Sequence, residues 1–197
     1  MTDPKNIAIL LLAAGSSSRL GHPKQLVEVS GQPLLQKMVE ISLATGCHPV
    51  VIVLGAYFEK IKPVIENLPV HILENKNWES GMGSTVSCGM DFLINNYPEL
   101  KAVILLVCDQ YYLAEKNITE LIRVFEKTNK NIIASKYGET VGVPALFSKH
   151  LFTDLLKLNG QSGAKKIVQK YADEAAIVEF SEGMFDLDTE EDLKKLN

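Results

Sequence analysis

An apolar run of strand length, Ile7 to Leu12, leads into Ala13, Ala14 and Gly15, where it gives way to Ser16, Ser17 and Ser18, with Arg19 and Lys24 close behind. Small residues let backbone N–H groups approach an oxyanion, the serines add short donors, and the two cations neutralise charge, so the loop can wrap a polyphosphate. The same residues also suit a plain strand-to-helix turn in which Gly15 only permits the bend, and the loop alone does not separate the two readings. Two familiar phosphate loops are excluded. Gly15 and Gly21 are not followed by the Gly-Lys-Ser/Thr of a Walker loop, and the first glycine pair of the dinucleotide fingerprint is missing. Pro23 pushes His22 out of helical space, which leaves Arg19 and Lys24 on a loop.

Three further places carry groups able to do chemistry. Gly81-Met82-Gly83-Ser84-Thr85 opens a helix whose first turn offers N–H groups and hydroxyls to an anion or a base edge, or simply a serine cap. Asp109 follows an apolar strand directly and suits a divalent metal bridging phosphates, since Mg2+ takes a few carboxylate oxygens plus substrate oxygens; capping of the next turn is the alternative. Alternation in Asp186-Leu187-Asp188 places two carboxylates on one side of an extended segment, before a helix that Thr189 or Asp188 caps with Asp192 in its first turn. Two polar bends, Gly142-Val143-Pro144 and Asn159 to Lys166, fit either turns or ligand contacts, with Ser162 and Lys165 facing an anionic acceptor in the second case. The four histidines and three cysteines lack zinc-ligand spacing, and no Gly-x-Ser-x-Gly elbow is present.

Elements that would position these groups are readable from hydrophobic pattern. Apolar runs at 7–12, 50–54, 70–73, 103–107, 132–134, 143–147 and 176–180 are mostly continuous, as in strands buried on both faces. Helical spacing fills the intervals: Leu34 to Ala44 after Pro33, Phe58 to Asn67 with Pro63 inside it, Ser84 to Asn95, a segment around Ile118 to Phe125, Lys149 to Leu158, Gly163 to Ala172 and Thr189 to Leu196. Alternation of strand and helix predicts an α/β sandwich with a mainly parallel sheet and ligands beyond the carboxyl ends of its strands. Length, at 197 residues, favours one domain spanning 1–197. A net charge of −4 speaks against a general nucleic-acid or anionic-membrane binder. Cys47, Cys88 and Cys108 show no paired spacing and read as reduced and cytoplasmic, with no membrane span or signal peptide.

Taken in order, Leu12-Ala13-Ala14-Gly15 with Ser18, Arg19 and Lys24, then Gly81 to Ser84, Cys108-Asp109-Gln110, Gly142-Val143-Pro144 and Asp186-Leu187-Asp188-Thr189, the chain resembles the MobA-type nucleotidyltransferases of molybdenum cofactor synthesis, in particular their cytidylyltransferase (MocA-like) branch. The resemblance runs nearly end to end. It implies a three-layer α/β/α Rossmann-like nucleotidyltransferase fold with a mainly parallel, mixed sheet, and a Mg2+-dependent transfer of CMP from CTP to the phosphate of molybdopterin. By position it implies that Arg19, Lys24 and Asp109 are catalytic and that Ala13, Ala14, Gly15, Ser18, Arg19, Lys24, Gly83 and Ser84 bind nucleotide. Ser162 and Lys165 would bind the acceptor, and Asp109 and Asp188 the metal. The Ala13-Ala14 pair, where the guanylyl branch carries a glycine, leans toward CTP. A monomer with transient contacts to a molybdoenzyme or its chaperone is the implied state. The chain departs from the family pattern at Tyr111 and Glu190, where proline is usual, at Gln161, where aspartate is usual, and at Lys165, where arginine is usual. Transfer to a sugar or alcohol phosphate, or a non-catalytic nucleotide-binding or cofactor-delivery module, are the alternative functions.

Overall fold

The structure, a computed structural model, describes residues 3–194. Its centre is a seven-stranded sheet. In chain order the strands are β1 (Ile7–Ala13), β4 (Val50–Leu54), β5 (His71–Glu74), β6 (Ala102–Val107), β7 (Ile132–Tyr137), β8 (Thr140–Ser148) and β9 (Ala175–Glu179), while β2 (Glu28–Val29) and β3 (Gln32–Pro33) form a separate two-stranded ladder. The spatial order is β5-β4-β1-β6-β8-β7-β9. All pairings in the large sheet are parallel except those of β8, which runs antiparallel to both β6 and β7.

The continuous apolar runs are explained by burial on both faces. Every residue of β1 is buried. Ile7, Ile9 and Leu11 point into one core with Leu34, Leu35 and Met38 of α1 (Leu34–Ala44), Ile61 of α2 (Phe58–Ile61), and Ile118 and Leu121 of α4 (Glu115–Thr128). Ala8, Leu10 and Leu12 point into the other, with Val86, Met90 and Leu93 of α3 (Met82–Asn96), Leu155 of α5 (Phe152–Leu156), and Ile167 and Val168 of α6 (Lys165–Lys170). Two helical layers thus enclose the sheet, giving the expected α/β/α sandwich. Helix α3 lies close to β1 because Gly89 has no side chain; a Cβ there would sit 2.3 Å from Leu10 Cδ1.

Several boundaries differ from the hydrophobic runs. The strand expected from Val143 begins at Thr140, because a hairpin through Gly138 (φ 56°) pairs Tyr137 with Thr140, and a register shift at Ala134/Ser135 keeps Gly142 in the ladder while Val143 and Pro144 have no partner in the β7 register. The helix expected over 58–67 stops at Ile61 and tightens to a 3-10 turn over Lys62–Val64, as Pro63 requires. That expected over 149–158 likewise opens as a 3-10 turn, Lys149–Leu151, before α5. The last helix, α7, spans Glu190–Lys194, one residue after the expected start at Thr189, and positions 195 and 196 of the expected segment fall outside the described residues. No helix among the described residues is long and apolar enough to cross a membrane. Cys47, Cys88 and Cys108 are free thiols.

Candidate active site

Strands β1 and β6 are adjacent and parallel, with Leu12 opposite Val107, and Cys108 N–H donates to Leu12 O (3.2 Å). The Ala13–Gly15 turn and Asp109 therefore leave the sheet side by side at its carboxyl edge. The loop after β1 is held by its own residues. Ser17 adopts the left-handed conformation (φ 52°), its carbonyl accepts from Leu20 and Gly21, and its Oγ accepts from Lys24 N–H at 3.1 Å. Buried beneath the loop, Gln25 donates through Nε2 to Ala13 O at 2.8 Å and Gly15 O at 3.1 Å. Sequence reading gave Ser17 and Gln25 no role of their own; the first was hidden in a serine run and the second lay just past the last cation.

The loop delivers its cations to carboxylates from two distant parts of the chain. Lys24 Nζ donates to Asp109 Oδ2 at 2.9 Å and to Asp188 Oδ1 at 2.5 Å, and Arg19 Nη2 donates to Asp188 Oδ2 at 2.7 Å. Asp188 comes within reach because Leu187 is fully buried and its N–H donates to Asp109 O at 3.0 Å. A capping box then holds Asp188 in place: Asp192 Oδ2 accepts from Asp188 N–H, Thr189 N–H and Thr189 Oγ1, while Asp192 N–H donates to Thr189 Oγ1. Asp186 adds a third carboxyl. Although part of it faces solvent, desolvation first, then the charges of Asp109 and Asp188, push its pKa up to about 6 against the relief that Lys24 gives. Burial opposes the charge of Lys24, yet Asp109 and Asp188 together hold its ammonium above the ordinary lysine value. Tyr137, half-buried at this edge, has its phenol raised by burial and by the charges of Asp186 and Asp109. Gln110, also buried, joins the neighbouring segments by donating to Val143 O and Gly183 O.

A cavity of about 330 Å³ opens beside this cluster, lined by Leu12 to Ser16, Lys24, Gln25, Trp78, Glu79, Gly81, Met82, Thr85, Val107 to Asp109 and Gln161. Ala13, Ala14, Gly15, Lys24 and Asp109 thus share one space, and Arg19 and Asp188 adjoin it through Lys24. Ser18 is exposed and outside the lining. Gly83 and Ser84 are outside it as well. The Gly83 N–H donates to Gly160 O, its Cα faces the Asn159 backbone, and the Ser84 hydroxyl donates to the carbonyls of Asn77 and Gly81 while accepting from Asn75 Nδ2. Their neighbours Met82 and Thr85 line the cavity instead. Ser162 and exposed Lys165 lie outside the lining, and of the two Ser162 directly follows Gln161, which is part of it. Trp78 escaped the residue-by-residue reading, though the only tryptophan of the chain, placed just before a glycine-rich turn, is a usable signal.

The donor set around Lys24 suits a hard cation, since two carboxylate oxygens already share one positive charge. No group of three or more His, Cys, Asp or Glu among the described residues forms a ready metal cage. Such a pair fits an ion that completes its shell with substrate and water oxygens, as Mg2+ does.

Comparison with known proteins gives a consistent picture. Nicotine blue oxidoreductase of Paenarthrobacter nicotinovorans is 42% identical over 89 residues, which cover 45% of this chain and 44% of that protein. The bifunctional protein GlmU of Legionella pneumophila (strain Philadelphia 1) is 29% identical over 126 residues, 63% of this chain and 26% of that protein. The chain therefore spans less than half the length of these curated relatives. Among solved structures, Rv0371c of Mycobacterium tuberculosis H37Rv superposes with a TM-score of 0.81 and 23% identity, covering 96% of both chains, and its complex with manganese does so with a TM-score of 0.78 and 21% identity, covering 96% of this chain and 97% of that one. These neighbours share the fold. The MobA-like NTP transferase domain matches residues 9–175, so the chain belongs to the MobA-like NTP transferase family.

Proposed function

We propose that the chain is a Mg2+-dependent cytidylyltransferase that moves CMP from CTP onto the phosphate of molybdopterin and releases pyrophosphate. The observation that carries this reading is the meeting of Arg19, Lys24, Asp109 and Asp188 at the mouth of the cavity behind the Ala13–Gly15 turn. A triphosphate entering along that turn meets the amides that follow β1, and its negative charge competes with Asp188 for Lys24 and Arg19. Asp109 and Asp188, released from the lysine, would hold the divalent ion, which supplies charge neutralisation at the α-phosphate and leaving pyrophosphate. Lys24 and Arg19 then offset charge on the phosphates as the acceptor phosphate attacks in line. Catalysis of this kind needs positioning and electrostatics and no covalent intermediate on the protein. Ala14 lines the cavity, so a glycine there is expected to relax the choice between CTP and GTP. Ser162, which follows Gln161, and Lys165, which opens α6, are proposed to face the acceptor.

Pyrophosphate release across CTP, GTP, ATP and UTP, each with molybdopterin, a sugar phosphate and an alcohol phosphate, tests the reading. CTP with molybdopterin should give the largest kcat/KM, and Lys24→Ala and Asp109→Ala should abolish turnover. Full rates in those variants, or tight NTP binding without pyrophosphate from any acceptor, would overturn it. A second reading rests on the 42% identity to a relative named as an oxidoreductase. Oxidation of NADH or NADPH by nicotine blue, followed by absorbance, without pyrophosphate release in the first assay, would replace transfer by redox chemistry.

A further inference from the structure

Gln25 is 1% exposed and lies beneath the loop that follows β1, one residue after Lys24. Both belong to the 3-10 turn Lys24–Leu26, which closes through Leu26 N–H to Pro23 O and Val27 N–H to Lys24 O. One turn thus directs the lysine to Asp109 and Asp188 and the amide to the carbonyls of Ala13 and Gly15. Carbonyls only accept, so the amide must present its NH2 to both of them. Its Oε1 is then left buried with no partner among the described residues. A leucine or methionine would fill the same space without an unpaired oxygen, so packing does not account for a glutamine at this position.

What the two bonds fix is the direction of the loop's N–H groups. In a trans peptide, as here, the N–H points opposite to the carbonyl that precedes it. Ala13 O and Gly15 O face Gln25, so Ala14 N–H and Ser16 N–H are turned away from it. Gly15 N–H is set separately, because Ala14 O accepts from Ala56 N–H at 3.0 Å. None of these three N–H groups meets an acceptor among the described residues, and Ala14, Gly15 and Ser16 all line the cavity. Successive unpaired backbone donors make a seat for an anion when their peptide planes are held. Gln25 holds two of the three planes, and Ala56 holds the one between them.

We propose that Gln25 is a positioning residue for polyphosphate: its amide orients the Ala13–Ala14 and Gly15–Ser16 peptides so that Ala14 N–H and Ser16 N–H donate to the oxyanions of the bound chain. The proposal rests on the transferase reading for the place of that polyphosphate in a reaction, but its test needs no turnover. Inorganic tripolyphosphate, which has neither base nor sugar, is titrated against the isotope-labelled full chain. Amide NMR follows the loop and calorimetry gives the affinity. In wild type the amide protons of Ala14, Gly15 and Ser16 should move downfield. Gln25→Met keeps the length of the side chain and removes its donors. It should weaken tripolyphosphate about ten-fold, as loss of a charge-assisted hydrogen bond does, and at saturation Gly15 should still respond while Ala14 and Ser16 do not. A merely structural glutamine would not separate the three amides in this way. Ala14 and Ser16 unmoved at saturation in wild type would overturn the proposal, whatever the variant does. So would unchanged affinity in Gln25→Met, or loss of all three responses together, which is loosening of the whole loop. The expected pattern in a protein that releases no pyrophosphate from any NTP keeps the role of Gln25 and removes the transferase reading. Pyrophosphate release at the wild-type kcat/KM in Gln25→Met does the reverse.

Discussion

The Lys24 ammonium stands between Asp109 and Asp188, 2.9 Å from one carboxylate and 2.5 Å from the other, and so joins the ends of two segments 79 residues apart. One lysine thereby neutralises a pair of carboxyls that fit a divalent ion. Replacing it with methionine keeps the stem and removes the charge, leaving Asp109, Asp186 and Asp188 without their shared cation. Because the lysine is mostly buried and its partners only partly so, the expected loss is about 1–3 kcal/mol, below that of a fully buried pair. Mg2+ should then raise the melting temperature of Lys24→Met more than that of wild type. Differential scanning calorimetry with and without Mg2+ checks this; an equal shift in both proteins would show that the lysine and the metal do not compete for these carboxylates.

Asp186 makes the metal-free protein sensitive to pH. Its folded pKa of about 6 lies above the ordinary carboxyl value of 3.8, so the native state binds more protons than the unfolded chain between those values. Stability associated with this group is full below about pH 4 and falls as pH rises toward 6. Asp186→Asn removes the penalty and should be more stable than wild type at pH 7 by about 1 kcal/mol, a figure reduced for the side chain's contact with water, while the two proteins converge near pH 4. Urea melts at both pH values decide it. A difference that persists at pH 4 would trace the effect to something other than titration.

The sheet was legible because its strands are buried on both faces: Ile7 to Leu12 reads as an unbroken apolar run, and only the alternation of Ile9 and Leu10 between two cores awaited the structure. The antiparallel course of β8 was not legible, since a buried strand has the same composition in either direction. Around the site, Asp109 stands out as a charge just past a strand end and Lys24 as a cation on the loop after β1. The approach of Asp188 depends on one buried leucine and one backbone bond, neither of which leaves a periodic trace. Residues at 81–84 support two readings at once. Gly83 and Ser84 have the residue types of anion contacts, and in the structure they also join α3 to the 159–160 turn and close the preceding loop.

Asp192 reaches the metal-binding candidates through the backbone. It accepts from the N–H groups of Asp188 and Thr189 and from the Thr189 hydroxyl, and in that way fixes the turn that presents Asp188. Asp192→Ala should cost about 1 kcal/mol, as loss of a helix cap does, and should raise the Mg2+ concentration needed for half-maximal activity several-fold. Asp192→Asn, which keeps an accepting oxygen, should recover most of both. Measuring the Mg2+ requirement alongside stability separates positioning from simple loosening: a variant that loses stability with an unchanged Mg2+ requirement assigns Asp192 to the helix alone.

Gly83 and Ser84 offer a direct comparison between a packing role and a ligand role. A Cβ on Gly83 would lie 2.6 Å from the Asn159 backbone, where no side chain can rotate away, so the 159–161 turn must move. Gln161, which lines the cavity, would move with it. Gly83→Ala should therefore destabilise by about 1–3 kcal/mol, as overpacking does, and raise the KM for CTP. Ser84→Ala removes hydroxyl bonds to Asn77 O and Gly81 O, local contacts that leave the cavity wall in place, and should cost less than about 1 kcal/mol with little change in KM. Steady-state kinetics of the two variants, with thermal melts, give the answer. If Ser84→Ala raised the KM for CTP more than Gly83→Ala did, the serine would touch the nucleotide directly, and its bonds to the two carbonyls would have to open when CTP binds.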